Sequence, residues 1–179
     1  MSLIDKRLPH YQFSETHRTR VKALPDAVMR TVLADLPRDR LSDVLLMLRT
    51  VPSRLLGRAA PKVGKQMFTS LGCNESETVA GLIGRFWQPD GGLVSFPDAN
   101  AFERFAEPGI PKLVTGFRVV PDPIGTLLTT ETRVFCPDRH SLLRFSPYWM
   151  LIRIPSGLIR RRTLRAIKAA VEKAATPAR

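Results

Sequence analysis

Tyr11-Gln12-Phe13-Ser14-Glu15-Thr16-His17-Arg18-Thr19-Arg20-Val21-Lys22-Ala23 alternates in a way that decides the reading of this chain. Successive side chains of a strand point to opposite faces. Gln12, Ser14, Thr16, Arg18, Arg20 and Lys22 make one wholly polar face, which belongs in water. Tyr11, Phe13, Glu15, His17, Thr19, Val21 and Ala23 make the other, which should face the interior. That inward face carries a carboxylate and an imidazole. An unpaired buried charge costs several kcal/mol, about 3–5 where a partner is removed. Glu15 therefore needs a partner or a wet cavity, and a sheet lining a partly polar cavity is the expectation.

The surrounding sequence supplies the other elements. Leu24-Pro25-Asp26 is a helix start, with Pro25 suited to the first turn. Residues 40–56 carry leucine and valine at helical spacing, with Pro52 as a breaker. Short strands are expected over 66–71, 77–87, 93–96, 112–120 and 126–136, and a small helix over 98–105 capped by Asp98. Residues 138–174 read as a long helix, divided or kinked at Pro155 and Gly157. Trp149, Ile152, Ser156 and Ile159 recur on it at spacings of three and four, opposite a basic face of Arg160, Arg161, Arg162, Arg165 and Lys168.

At 179 residues, the chain holds one domain with a sizeable core. Residues 1–10 read as an extension, 11–174 as the domain and 175–179 as a tail. No apolar run reaches the roughly 20 residues of a membrane span. The start lacks an apolar signal core, so a cytoplasmic location is expected. Cys73 and Cys136 are too few for a disulfide framework.

The formal net charge of +12 raises the question of an anionic partner. Nucleic acid is an unfavoured reading, because the basic residues are spread along the chain without interleaved aromatic stacking platforms. Enzyme signatures are scarce. No phosphate-binding glycine loop or nucleophile elbow occurs. His10 lies off the inward parity of His17, so neither a metal site nor a cofactor is expected.

The order of strand, two helices, antiparallel strands and long C-terminal helix is α+β. It resembles the helix-grip fold of the START/polyketide-cyclase/birch-pollen-allergen superfamily, the SRPBCC group. Phe13-Ser14-Glu15-Thr16-His17, Gly81-Leu82-Ile83-Gly84-Arg85-Phe86-Trp87, Thr130-Glu131-Thr132-Arg133-Val134 and Ser156-Gly157-Leu158-Ile159-Arg160-Arg161 resemble a bacterial branch of it. The resemblance implies a curved antiparallel sheet wrapped around the C-terminal helix, with the first and last strands adjacent.

The residues alone leave the inward face of 126–136 open. One candidate set is Leu127, Thr129, Glu131, Arg133 and Phe135; the other is Thr126, Leu128, Thr130, Thr132 and Val134. With the resemblance, Glu131 and Arg133 are expected beside Glu15 and His17 as one polar cluster, with Arg85 joining it. Trp87 would supply a flat wall and Trp149 and Ser156 the roof. The function implied is binding, with transport a further option, of a mainly apolar small molecule or lipid. The basic face of the C-terminal helix suits transient contact with an anionic membrane surface. The alternatives are a cyclase- or hydratase-like enzyme using His17 with Glu15 or Glu131, and a nucleic-acid-binding module.

Overall fold

The computed structural model describes residues 1–34, 68–88 and 92–175. The helix expected over 40–56, the loop after it and most of the turn at 89–92 lie outside these residues. In chain order the elements are α1 (Leu3–Arg7), β1 (Phe13–Val21), α2 (Pro25–Leu33), β2 (Thr69–Cys73), β3 (Glu77–Gly84) and β4 (Leu93–Val94). They continue with α3 (Ala99–Arg104), β5 (Lys112–Asp122), β6 (Gly125–Phe135) and α4 (Arg139–Ala175).

The strands form one six-stranded, curved antiparallel sheet in the order β1-β6-β5-β3-β2, with β4 also on β3. The first and last strands are neighbours, as expected. Their register places Glu15 opposite Thr132 and His17 opposite Thr130. Across the next pair, Thr132 faces Thr115 and Thr130 faces Phe117. Residues directly opposite in an antiparallel pair share a face. The inward face of β6 is therefore Thr126, Leu128, Thr130, Thr132 and Val134. Glu131 and Arg133 are on the other side.

Helix α4 covers the inner face. Pro155 and Gly157 were expected to divide or kink it; it is not divided, and runs as one helix through Pro147 and Pro155. The carbonyls that lose a helical donor belong to Leu143 and Leu151, both on the exposed face where water can replace it. Asp138 caps the start, accepting from the Ser141 amide at 2.7 Å. That bond, with another from the Gly109 amide, holds its carboxyl below the usual range.

Two apolar clusters fill the space between α4 and the sheet. One joins Val21, Val28, Met29, Val119 and Leu128 to Leu164, Ile167 and Val171. The other joins Phe86, Val134, Cys136, Phe145 and Trp149, with Phe13 packed against it. Burial pushes the Cys136 thiol up to about 12, so it is an inert filler.

The outer face has a core of its own. Ile4 and Leu8 pack with Leu71, Val79, Ile83, Phe102, Ile110 and Val114. Residues 1–10, expected as an extension, are thus partly built into the domain. Five residues are too few for a helix to hold alone. Ser2 and Asp5 form a capping box, and Arg133 reaches Asp5 at 2.8 Å. The hydrogen bond from Ser2 and that from Arg133 hold the Asp5 carboxyl at about 2, against 3.8 for a free one. A carboxylate with a lowered pKa stabilises the folded state above its unfolded value and stops doing so as it protonates. The Ile4 and Leu8 methyl resonances should therefore shift as pH falls from 3.8 toward about 2. Invariant resonances across that window would remove Asp5 from the account of how α1 is held.

Candidate functional site

Between the two inner apolar clusters lies a belt of polar groups. The i, i+2 spacing on β1 puts Glu15 and His17 on the same face, with Glu15 Oε1 and His17 Nε2 sharing a hydrogen bond of 2.8 Å. Their side chains are 9% and 12% exposed. Beside them, Thr130 donates to the Gly116 carbonyl and Thr115 to the Glu131 carbonyl. Thr132 donates to the Thr115 hydroxyl. The threonines use their hydrogens on the sheet, leaving oxygens to accept from above.

Arg160 supplies the donor. It descends from α4 and gives Nη1 hydrogen bonds to Thr115 Oγ1 at 3.0 Å and Thr130 Oγ1 at 3.3 Å. Burial pushes its guanidinium down to about 10, with the Glu15 charge acting in the opposite direction. Directly over Glu15 and His17 the helix has Gly157. A Cβ there would stand 2.6 Å from Glu15 Oε1 and 3.4 Å from His17 Nε2. Glycine thus permits the helix to approach so closely.

Two atoms of this belt are buried without a hydrogen-bond partner, Glu15 Oε2 and Arg160 Nε. Buried polar atoms are nearly always paired, so such exceptions need a physical reason. One is an acceptor and the other a donor.

The expected single cluster is divided by the sheet. Glu15 and His17 face inward as expected. Glu131 and Arg133 do not join them, because β6 turns its threonines inward. Arg133 is nonetheless buried, at 7% exposed, under the N-terminal segment. It donates to Glu131 at 2.6 Å and to the Leu8 carbonyl at 3.3 Å, and sits 4.6 Å from the Tyr11 ring centroid. Glu131 also borders an outer-face cleft of about 380 Å³, with Thr16, Arg18 and Arg118.

Arg85 and Trp87 lie past the end of β3, so strand parity does not govern them. They line a different cleft, of about 580 Å³, with His140 and Arg144 at the start of α4. Trp149 is buried against Phe13 and Phe145, with centroids 5.6 and 5.9 Å away. Ser156 is half-buried on α4. The buried positions of α4 are Ser141, Phe145, Trp149, Gly157, Leu164, Ile167 and Val171. Of the expected roof, Trp149 is among them, Ile152 is half-buried against the same cluster, and Ser156 and Ile159 are half-buried.

Arg160 is the site residue that sequence reasoning missed, having been assigned to the basic face. A signal was present. Arg160 precedes Leu164, Ile167 and Val171 by four, seven and eleven residues, the spacing of one helical stripe.

Among the described residues there is no cluster of metal-ligating side chains and no helix long and apolar enough to cross a membrane. No family model and no curated protein matches the chain. A crystal structure of protein MLL2253 from Mesorhizobium loti is similar at 14% identity, covering 84% of this chain and 98% of that one, with a TM-score of 0.34. A likeness at that level says nothing of what this chain binds or does.

Proposed function

We propose that the protein binds a small, mainly apolar molecule between α4 and the sheet, seating the molecule's polar end on the Glu15–His17–Arg160 belt. The observation that carries this reading is the pair of buried atoms without partners, Glu15 Oε2 and Arg160 Nε. A group satisfying both must donate to one and accept from the other. A hydroxyl or an amide does so; a bare carboxylate, with no hydrogen to give Glu15, does not. The clefts of about 380 and 580 Å³ lie elsewhere, so the rest of the molecule would enter by parting the apolar clusters on either side of the belt as α4 lifts from the sheet. A long C-terminal helix laid across one face of an antiparallel sheet supports the helix-grip reading and the resemblance to the SRPBCC group.

Native mass spectrometry of the full chain purified from its own host tests the proposal. A retained small molecule is expected, and Gly157→Val should expel it, since a branched side chain there meets Glu15 and His17. Wild-type protein that carries no ligand, and whose melting temperature is unmoved by dodecanol or dodecanamide, would overturn the reading.

The 2.8 Å contact between His17 and Glu15 favours a second reading. A carboxylate that orients an imidazole is the arrangement of a general base, so the belt also fits a cyclase- or hydratase-like enzyme. On that reading His17→Ala abolishes turnover of the retained molecule while the fold persists. Glu131, across the sheet, has no part in it.

A further inference from the structure

The outward face of α4 carries an observation that the belt does not use. Leu143, Met150, Leu151, Ile154 and Leu158 are 63%, 75%, 69%, 73% and 47% exposed. With the exposed Pro147 they follow one another at intervals of one to four residues. At about 100° per residue they occupy one face of the helix, opposite buried Phe145 and Trp149. Spanning four turns, this strip is about 22 Å long at 1.5 Å per residue. Beyond Leu158 the same face turns basic, with Arg161 and Arg165 exposed on it and Arg153 exposed along its flank.

We propose that this face is a docking surface for an anionic lipid bilayer. A helix with an exposed apolar strip and flanking arginines has the pattern of one that lies in the interfacial plane, its apolar side chains inserted about 5–10 Å. The formal net charge of +12 complements anionic headgroups, and each basic residue near such a surface adds attraction. Solvent exposure of large apolar side chains in one continuous patch marks a contact surface. The bilayer is chosen over a second protein because the strip continues directly into the basic turns, matching an apolar interior bordered by phosphates. The helix docks on the bilayer rather than crossing it, being too polar to span.

The test is sedimentation of the full chain with phosphatidylcholine vesicles, with and without phosphatidylserine. Wild-type protein should partition at least about tenfold more strongly when phosphatidylserine is present, and salt should weaken the binding. Met150→Glu with Ile154→Glu should lower partitioning by about tenfold or more. Both sites are exposed, so the melting temperature should hold, which a thermal scan verifies. Arg161→Glu with Arg165→Glu should remove the preference for phosphatidylserine. Equal sedimentation with both vesicle types, or unchanged binding by the Met150/Ile154 variant, overturns the proposal. So does a solution dimer that the same variant dissociates, which would assign the strip to a second copy of this chain. None of these outcomes depends on the inner belt, whose failure would leave the strip in place.

Discussion

Replacing Arg133 with methionine should cost the fold about 3 kcal/mol, the low end for breaking a buried ion pair. Arg133 is where the N-terminal segment is fastened to the sheet. Its guanidinium reaches Asp5 at 2.8 Å, Glu131 at 2.6 Å and the Leu8 carbonyl at 3.3 Å. Burial works against its charge, but the hydrogen bonds to Glu131 and Asp5 prevail and raise its pKa. The low end applies because the partners left behind are 24% and 44% exposed, so water recovers part of their solvation. Loss of the Leu8 bond would free Ile4 and Leu8, and amide exchange over residues 3–8 should rise with the loss of stability. Arg133→Lys should restore only part of it, since an ammonium cannot serve three directions with a planar fork.

Double mutants sharpen this result. Arg133→Met with Asp5→Asn should be non-additive, because the two residues share a bond. Arg133→Met with Glu15→Gln should add within about 0.5 kcal/mol, because the sheet separates them and they have no partner in common. Strong coupling in the second pair, measured by denaturant unfolding, would mean that the two polar groups are linked through the sheet.

The alternation from Phe13 to Val21 was legible because a single strand with one wholly polar face admits one orientation. Tyr11, expected inward, lies before β1 and is exposed beside Arg133 of the outer face. Phe13, Glu15, His17, Thr19 and Val21 do face α4, α2 starts at the expected Pro25, and α3 and the β5–β6 hairpin lie near their expected bounds. The face of β6 was not legible from its residues. Its two sides are Thr126, Leu128, Thr130, Thr132 and Val134 against Leu127, Thr129, Glu131, Arg133 and Phe135, and each mixes apolar with polar groups. The resemblance favoured the second set, by placing Glu131 and Arg133 beside Glu15 and His17. The structure satisfies those charges differently, by folding residues 1–8 over them, and hydrophobic burial of Ile4 and Leu8 makes that arrangement cohere. Parity reasoning assumes one dry face and one wet face. Here both faces are covered, so the assumption fails at the middle of the sheet.

Arg160 was missed for a related reason. A run of arginines reads as a solvated surface, and Arg161 and Arg162 are indeed exposed. One position earlier, the helix turns the side chain under itself, onto the threonines of β5 and β6. Composition cannot separate adjacent arginines; only the phase of the helix can.

That buried arginine yields the second large expectation. Arg160→Met alone should destabilise the protein by about 3 kcal/mol, because Glu15 would keep its buried charge with only His17 beside it. Replacing the charged belt entirely, with Glu15→Leu, His17→Leu and Arg160→Met together, should instead make the protein more stable than wild type by about 1–4 kcal/mol. The argument is one of solvation. The belt holds a guanidinium and a carboxylate away from water while leaving Arg160 Nε and Glu15 Oε2 without partners. Apolar side chains would join the two flanking clusters into one and incur no such penalty. The threonines would remain satisfied, since Thr130 and Thr115 already donate to carbonyls. A belt that costs stability and is nevertheless present fits a group kept for contact with a ligand. Urea unfolding of the single and triple variants measures both numbers. A triple variant less stable than wild type would make the belt a structural network that sets the register of β1 on β6, and the proposed ligand would lose its seat.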